Sequence, residues 1–236
     1  MKIELYNADC LEKMKDIPTG SVDMILTDPP YEISNGGGGM MKGGRQFIKQ
    51  IDNMGMAKSN FDVIGFLNIC KSKFANINDF NGVFFLCLKQ LHLYISFAIE
   101  NNLFYGLTYW HKSDPAPLIN NKYLNDIEIA IYIRGKNVKI LGNYKSKSLL
   151  YSSSTNRQDK KIYGHPTIKP VLLLEKYLVN HSKENNVIFD PFMGSGSCGV
   201  ACKNLNRNFI GIEKDETYFK IAKERIENHT VQRKLF

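Results

Sequence analysis

The first residues able to do chemistry follow the apolar run 22–27 and read Asp28-Pro29-Pro30-Tyr31. Two consecutive prolines fix the backbone φ angle and remove two N–H donors, so this strand end offers carbonyl oxygens, one carboxylate and one aromatic ring. A pocket that accepts hydrogen bonds beside a ring that can stack suits a flat ligand carrying an amino group. The alternative is a plain proline turn in which Tyr31 packs on the core.

A second candidate site is the glycine-rich run 194–199, which spells G-x-G-x-x-G. It follows a predicted strand that ends at Asp190 and opens a predicted helix, and Glu213 ends the next predicted strand about 20 residues later. In a nucleoside-binding turn of this kind the glycines let the backbone approach the ligand, and the acid accepts the ribose hydroxyls. A tight strand-to-helix turn without a ligand is the alternative.

The position of the glycine run argues against a dinucleotide site. Only 23 residues of the 236 follow Glu213, so earlier strands must complete the sheet. The Asp28 half and the Gly194 half then lie side by side in one parallel sheet. Both strand ends, at Asp28 and Asp190, open on the same carboxyl edge, where ligands bind in such sheets.

Alternating strand and helix patterns surround this edge. Apolar runs predict strands near 3–6, 22–27, 82–88, 104–110, 186–190 and 208–212, and helical spacing predicts helices near 11–16, 61–74, 91–99, 171–181, 198–205 and 215–227. The period of two in 127–134 suits an antiparallel strand with one less buried face. We therefore predict an α/β fold: a Rossmann-like, doubly wound, mostly parallel sheet with an antiparallel late strand.

Composition fits a single soluble domain over residues 1–236, with 43% hydrophobic and 23% charged residues. Five irregularly spaced cysteines indicate free thiols in a reducing compartment. No second ligand pair follows Cys198 and Cys202 at zinc spacing, so we expect no metal. The opening residues lack a signal-peptide pattern, and polar residues interrupt the most apolar stretch. We expect a cytoplasmic protein that does not enter a membrane.

The net charge of +8 is concentrated in residues 134–169, which hold nine Lys or Arg residues against one acid, Asp159. Tyrosines and serines are interleaved with them, and these side chains together suit phosphate contacts and base stacking. Candidate DNA contacts in this stretch are Lys145, Lys147, Arg157, Lys160 and Lys161. A solvated lysine face on a long connection is the alternative.

Residues 33–60 contain seven glycines, six of them in two runs, with Lys42 and Arg45 as further candidate DNA contacts. A mobile basic loop directly after a candidate catalytic strand end suits a lid or a nucleic-acid contact, and a tolerated surface insertion is the alternative. We expect target-recognition or DNA-contact insertions at 33–60 and 113–164 within the single domain.

Four motifs together resemble the amino-methylating DNA methyltransferases, which act on adenine N6 or cytosine N4. They are DPPY (28–31), HPTIKP (165–170), DPFMGSG (190–196) and FIGIE (209–213). With the catalytic motif first and the cofactor motif last, their order is similar to the circularly permuted order of the β class.

The resemblance implies S-adenosylmethionine as the cofactor and double-stranded DNA as the substrate. The cofactor would lie over the glycine turn, with Phe192 against its adenine or methionine part and Glu213 on its ribose. Thr167 and Lys169 would hold the methionine end. The cofactor-binding residues implied are Asp9, Cys10, Asp28, Thr167, Lys169, Asp190, Phe192, Gly194, Ser195, Gly196, Ser197 and Glu213.

The resemblance also implies methylation of the exocyclic amine of an adenine flipped out of a short duplex site. Asp28 and the Pro29 carbonyl would accept the amine N–H groups, and Tyr31 would stack on the base. Methylation of the cytosine amine is the alternative, because a serine is more usual at the first motif position there. An alternative of another class is a non-catalytic nucleic-acid-binding protein that retains the fold. A homodimer and a cognate restriction enzyme are candidate partners.

Overall fold

The computed structural model describes residues 1–30, 61–115, 123–165 and 167–231, and these residues form one sheet of eight strands with helices on both faces. The strands are β1 (Ile3–Asn7), β2 (Met24–Thr27), β3 (Asn81–Leu86), β4 (Phe104–Lys112), β5 (Ile127–Arg134), β6 (Leu150–Ser153), β7 (Val187–Asp190) and β8 (Asn208–Glu213). The helices are α1 (Cys10–Lys13), α2 (Val63–Lys71), α3 (Leu91–Glu100), α4 (Arg157–Tyr163), α5 (Val171–His181), α6 (Ser197–Asn204) and α7 (Glu216–Asn228).

The strands follow the order β1-β8-β7-β2-β3-β5-β4-β6. Of these described strands only β5 runs opposite to its neighbours, β3 and β4, while the other pairings are parallel. This confirms the predicted mostly parallel, doubly wound sheet with one antiparallel late strand. No helix in the described ranges is both long and apolar enough to cross a membrane.

The two halves of the chain meet where β2 pairs with β7, because the C-terminal strands β7 and β8 lie between β1 and β2. From β2 the chain continues to β3 on one side, and from β7 it continues to β8 on the other. This reversal of direction opens a crevice at the carboxyl edge, which is the usual ligand position in such sheets. Within it, the buried hydroxyl of Thr27 donates a hydrogen bond of 2.7 Å to Asp190 Oδ1.

Each face of the sheet is covered by helices over an apolar core. Under α2 and α3 the core is aromatic, and the Phe80 ring lies 5.7 Å from Phe97. Under α5, α6 and α7 it contains Phe85, whose ring meets Tyr177 edge-on at 5.9 Å. Burying a side chain of this size contributes about 1.5–3 kcal/mol. The two cores hold the strands rigidly beneath the carboxyl edge.

Most elements agree with the sequence prediction, and α5 begins and ends at the predicted residues. Two elements in the basic stretch were not predicted, β6 and α4. The serine-rich sequence of β6 resembles a loop, and the strand forms because it pairs with β4. Helix α4 is short and polar, and Arg225 of α7 secures it by an ion pair of 2.9 Å to Asp159 and by lying over the Tyr163 ring.

Part of the predicted machinery lies outside the described residues, namely Tyr31, Lys42, Arg45 and the whole of 33–60. The other predicted insertion, 113–164, contributes β5 and β6 to the sheet as well as α4. Its role in DNA contact stays a prediction.

The junction of β2 and β7 generates a stability prediction, because burial raises the pKa of Asp190 to about 7 despite hydrogen bonds from Thr27 and the Phe192 N–H. A carboxyl group whose pKa is higher in the folded state than in the unfolded state makes the protein less stable as pH rises. Here the loss runs from the unfolded pKa, about 4, towards the folded pKa, about 7. Replacement Asp190→Asn removes this ionisation. The Tm of the variant minus the Tm of the wild type, without added ligand, should therefore rise between pH 5 and pH 8. A difference that stays constant over this range would contradict the raised pKa.

Candidate active site

The ends of β1, β2, β7 and β8 surround a cavity of about 530 Å³ at the carboxyl edge, a size that suits a small-molecule ligand. All of the predicted cofactor residues except Gly196 line it. The lining residues from that prediction are Asp9, Cys10, Asp28, Thr167, Lys169, Asp190, Phe192, Gly194, Ser195, Ser197 and Glu213, and Pro29 and Pro30 line it as well. Sequence motifs that lie far apart in the chain therefore meet around one space.

The glycine turn between β7 and α6 needs its glycines for two different reasons. Gly194 and Gly196 have φ angles of +50° and +81°, which residues with a side chain rarely adopt. A Cβ atom on Gly194 would lie 2.9 Å from Nε2 of His165, on the cavity side. A Cβ atom on Gly196 would instead lie 3.1 Å from the backbone of Ala222. Gly194 therefore borders the ligand space, and Gly196 allows α6 and α7 to pack closely.

Glu213, at the end of β8, orients the glycine turn. Its Oε2 accepts a hydrogen bond of 3.0 Å from the Gly194 N–H, and its Oε1 accepts one of 2.8 Å from the Asp215 N–H. Burial raises the pKa of this carboxyl, and the two backbone donors oppose that rise. Because a carboxylate can accept about four hydrogen bonds, Glu213 has capacity for ligand hydroxyls as well.

Asp9, Cys10 and Phe192 form the other walls. Asp9 caps α1 through a bond of 3.0 Å from the Leu11 N–H and pairs with Lys214 at 3.0 Å. Burial raises the pKa of the Cys10 thiol to about 12, so this group stays neutral. Phe192 packs in an aromatic cluster, 5.5 Å from the Phe66 ring. These walls offer one charged and two apolar surfaces to a ligand.

The serine hydroxyls beside the glycine turn both accept hydrogen bonds from Nη1 of Arg225, at 3.4 Å for Ser195 and 3.0 Å for Ser197. The same arginine holds α4 through Asp159. The glycine-turn side of the cavity is thus linked directly to a helix of the basic stretch.

Asp28, at the end of β2, is the central acceptor of the cavity. Its Oδ2 lies 2.5 Å from Nζ of Lys169. Its Oδ1 is buried and has no hydrogen-bond partner in the described part of the chain. Burial raises the pKa of this carboxyl, and the positive charge of Lys169 opposes the rise. A buried acceptor of this kind calls for a donor from a ligand, because leaving it unpaired costs about 1–3 kcal/mol.

Sequence reasoning missed Glu128, a residue of β5 whose carboxylate pairs with Lys169. Nζ of Lys169 is 2.7 Å from its Oε1, and Nζ of Lys112 is 2.9 Å from its Oε2. Burial would raise the pKa of Glu128, but the two lysines outweigh burial and lower it. An acid within the otherwise apolar alternation of β5 was the available signal. The prediction that Lys169 holds the methionine end of a cofactor stays a prediction.

His165 is a second residue that sequence reasoning missed. Its Nδ1 accepts the Thr167 N–H at 3.4 Å, while its Nε2 is buried and has no hydrogen-bond partner among the described residues. Burial and nearby cations lower its pKa to about 4, so the ring is neutral at physiological pH. The bond at Nδ1 assigns the proton to Nε2, which makes His165 a donor on the cavity wall beside Gly194.

The candidate DNA contacts fall into two groups. Helix α4 follows β6 at the carboxyl edge and carries three of them, Arg157, Lys160 and Lys161. Lys160 is half-buried, and its pKa is lowered by burial and then by the charges of Lys112 and Lys169. Excess positive charge therefore collects beside the cavity, where it attracts anions. Arg157 also pairs with Asp114 at 2.9 Å.

Lys145 and Lys147 lie in the connection before β6, at the opposite edge of the sheet. That connection is anchored to the end of α5 by the Leu141 N–H, which donates to the Asn180 carbonyl at 2.7 Å. The same helix end accepts a bond from Asn81, the first residue of β3. Both lysines are exposed but distant from the cavity.

Comparison with known proteins identifies the family. A family model described as DNA methylase (N6_N4_Mtase) matches residues 22–224. The Type II methyltransferase M2.LlaDCHI of Lactococcus lactis subsp. cremoris is 31% identical, over 94% of this chain and 88% of its own length. The Type II methyltransferase M2.DpnII of Streptococcus pneumoniae is 29% identical, over 96% of this chain and 90% of its own.

Solved structures agree with this assignment. The M1.HpyAVI–SAM complex superimposes with a TM-score of 0.70 at 30% identity, covering 94% of this chain and 99% of that one. The cytosine-N4-specific PvuII DNA methyltransferase has a TM-score of 0.71 at 15% identity, which shows a shared fold. The chain belongs to the DNA methylase family.

Proposed function

We propose that this S-adenosylmethionine-dependent DNA methyltransferase is of the β class and methylates N6 of an adenine flipped out of a short duplex site. The observation that carries the proposal is the buried Oδ1 of Asp28, which has no hydrogen-bond partner in the described ranges. It lies at the end of β2, at the wall of a cavity that the glycine turn also borders. The second candidate remains the exocyclic amine of cytosine.

The chemistry explains why an acceptor is needed at this position. The lone pair of an adenine amine is delocalised into the ring, so the amine is a poor nucleophile. Hydrogen bonds from the amine to Asp28 Oδ1 and to the Pro29 carbonyl favour a pyramidal nitrogen, whose lone pair is available for reaction. No covalent enzyme intermediate is required, and the step depends on positioning and electrostatics.

S-adenosylmethionine supplies a methyl group on a positively charged sulfur, and the nitrogen–carbon bond forms as the carbon–sulfur bond breaks, with its electron pair left on sulfur. The methylated nitrogen is then positively charged and acidic. Asp28 Oδ1 is placed to accept its proton, which passes on to solvent after product release. Asp28 must therefore be ionised before the reaction.

The cavity residues suit the cofactor on three grounds. The volume of about 530 Å³ accommodates a ligand of this size. Gly194 has no side chain where a Cβ atom would enter the cavity wall, and Glu213 beside it can accept ribose hydroxyls. The buried Nε2 of His165, which lacks a hydrogen-bond partner among the residues described, can donate to an oxygen of the ligand.

The biological setting follows from the relatives. Their names place them among Type II methyltransferases, which supports a role in restriction–modification in the cytoplasm. A cognate restriction enzyme and a homodimeric assembly are part of this proposal.

Transfer of tritium from labelled S-adenosylmethionine to unmethylated double-stranded DNA tests the proposal directly. After digestion to deoxynucleosides, we expect the label in N6-methyl-2′-deoxyadenosine. Label in N4-methyl-2′-deoxycytidine would identify cytosine and not adenine as the target base. No incorporation would favour a non-catalytic DNA-binding protein. Sequencing of DNA from expressing cells, with modification detection, then gives the methylated site.

Replacement Asp28→Ala should abolish methyl transfer, which here means a rate lower by at least about 10²–10³-fold. The variant lacks the carboxylate that accepts a hydrogen bond from the amine and makes it nucleophilic. Binding of S-adenosylmethionine, measured by calorimetry, should largely survive. The matched control is Glu216→Ala, which removes an exposed acid from α7 and should leave turnover unchanged. Turnover retained by Asp28→Ala would remove Asp28 from the catalytic role.

Charge reversal at Lys160 and Lys161 should weaken binding of duplex DNA, because both lysines lie on α4 beside the cavity. The slope of log K against log salt should become shallower by about 0.9 for each phosphate that the protein no longer neutralises. Fluorescence anisotropy at several salt concentrations measures both quantities.

The double variant Lys145→Glu/Lys147→Glu is the matched control for this experiment. It makes the same change of charge at the opposite edge of the sheet, so its effect on affinity and on the salt slope should be smaller. Equal effects of the two double variants would favour a solvated lysine face that acts only through net charge.

A further inference from the structure

We propose that Glu128 is a positioning residue for methyl transfer, acting with Lys112 through Lys169 to hold Asp28 so that its Oδ1 faces the target amine. This inference rests on the proposed function, because it assigns a supporting role at the same site. It concerns a residue outside the four sequence motifs, on the antiparallel strand of the sheet.

The contacts form a chain of alternating charges. Lys112 Nζ lies 2.9 Å from Glu128 Oε2, Glu128 Oε1 lies 2.7 Å from Lys169 Nζ, and Lys169 Nζ lies 2.5 Å from Asp28 Oδ2. Lys169 is only 7% exposed, so its position between two carboxylates is fixed by the packing around it. The Phe85 ring supports the same ammonium group at 4.8 Å. One oxygen of Asp28 is thus held, and the other is buried with no hydrogen-bond partner among the described residues.

The reversed direction of β5 explains how Glu128 reaches this position. Parallel strands bring only their last residues to the carboxyl edge, whereas an antiparallel strand brings its first residues there. In the register of the sheet Glu128, the second residue of β5, pairs with Trp110 near the end of β4. Residues from two strands and from the loop before α5 therefore converge on Asp28.

The charges of Lys112, Glu128 and Lys169 influence whether Asp28 is ionised. Asp28 must be ionised to accept the amine hydrogen, yet burial disfavours its ionised form. Lys169 opposes this effect, and the carboxylate of Glu128 pairs with Lys169 at 2.7 Å in the same buried position. Glu128 also lies close enough to repel the Asp28 charge, which tunes the attraction of Lys169. Among the described residues, the titratable groups that interact with Asp28 or with its partner Lys169 include Glu128, Lys112, Asp190, Tyr94, Lys160, His165 and Tyr177.

The test is the pH profile of single-turnover methyl transfer at saturating S-adenosylmethionine and duplex DNA, in the wild type and in variants. Replacement Lys169→Met should move the acidic limb of the profile to higher pH by about 1–3 units, because an opposite charge at this distance shifts an Asp pKa by that amount. Replacement Glu128→Gln should move it the other way, because the repelling charge is lost. Its plateau rate should also fall by about 10-fold, since Lys169 is no longer held from both sides.

Two controls make the result decisive. Lys220→Met removes an exposed lysine that pairs with Glu216 on α7, and its profile should match the wild type. If Lys169→Met does not fold because Glu128 and Asp28 lose their shared partner, the double variant Glu128→Gln/Lys169→Met removes one carboxylate together with the lysine. Its acidic limb should still move to higher pH, by less than in Lys169→Met, because the repelling charge of Glu128 is also lost.

Three outcomes overturn the inference. A Lys169→Met profile in the wild-type position, with a raised Kd for S-adenosylmethionine, would show that Lys169 serves the cofactor alone. A Glu128→Gln variant with the wild-type profile and plateau would show that Glu128 only packs. Shifts of both variants in the same direction would show a general effect of the substitutions. Absence of methyl transfer by the wild type in the same assay would instead contradict the proposed function itself.

Discussion

Two buried carboxylates at the ends of adjacent strands are the constraint on which the site depends. Asp28 ends β2 and Asp190 ends β7, and the two strands pair in parallel. Because both charges are withdrawn from water, burial raises the pKa of each. Hydrogen bonds from the Thr27 hydroxyl and the Phe192 N–H stabilise Oδ1 of Asp190. Lys169 stabilises Oδ2 of Asp28, while Oδ1 has no hydrogen-bond partner among the described residues.

The two strand ends give the cavity two chemically different sides. On one side lie the glycine turn and Glu213, which Arg225 links to α4. On the other side, Asp28 is held by a chain of buried charges that starts on β4. Buried ion pairs of this kind contribute little net stability, since desolvation offsets their attraction. Their value here is to fix the geometry and the ionisation of one carboxylate.

The edge of the sheet that carries the cavity also carries positive charge. Positive charge on α4 lies at the edge where the cavity opens, whereas Lys145 and Lys147 lie at the other edge. A surface of this charge attracts anions to the edge of the sheet where Asp28 lies. Net charge by itself could not distinguish these two groups of lysines, because their sequence environments are equally basic.

The sequence by itself determined the fold class, most of the strands and helices, and many of the residues that border the cavity. Apolar runs, helical spacing and glycine or proline at strand ends are local patterns, and local patterns specify local structure. Only the tertiary structure decided that β6 and α4 exist, since both are polar segments that form through pairing with β4 and contact with Arg225. Only it placed Glu128 and His165 at the site, because contacts between distant residues depend on strand direction and register, which no short stretch of sequence encodes.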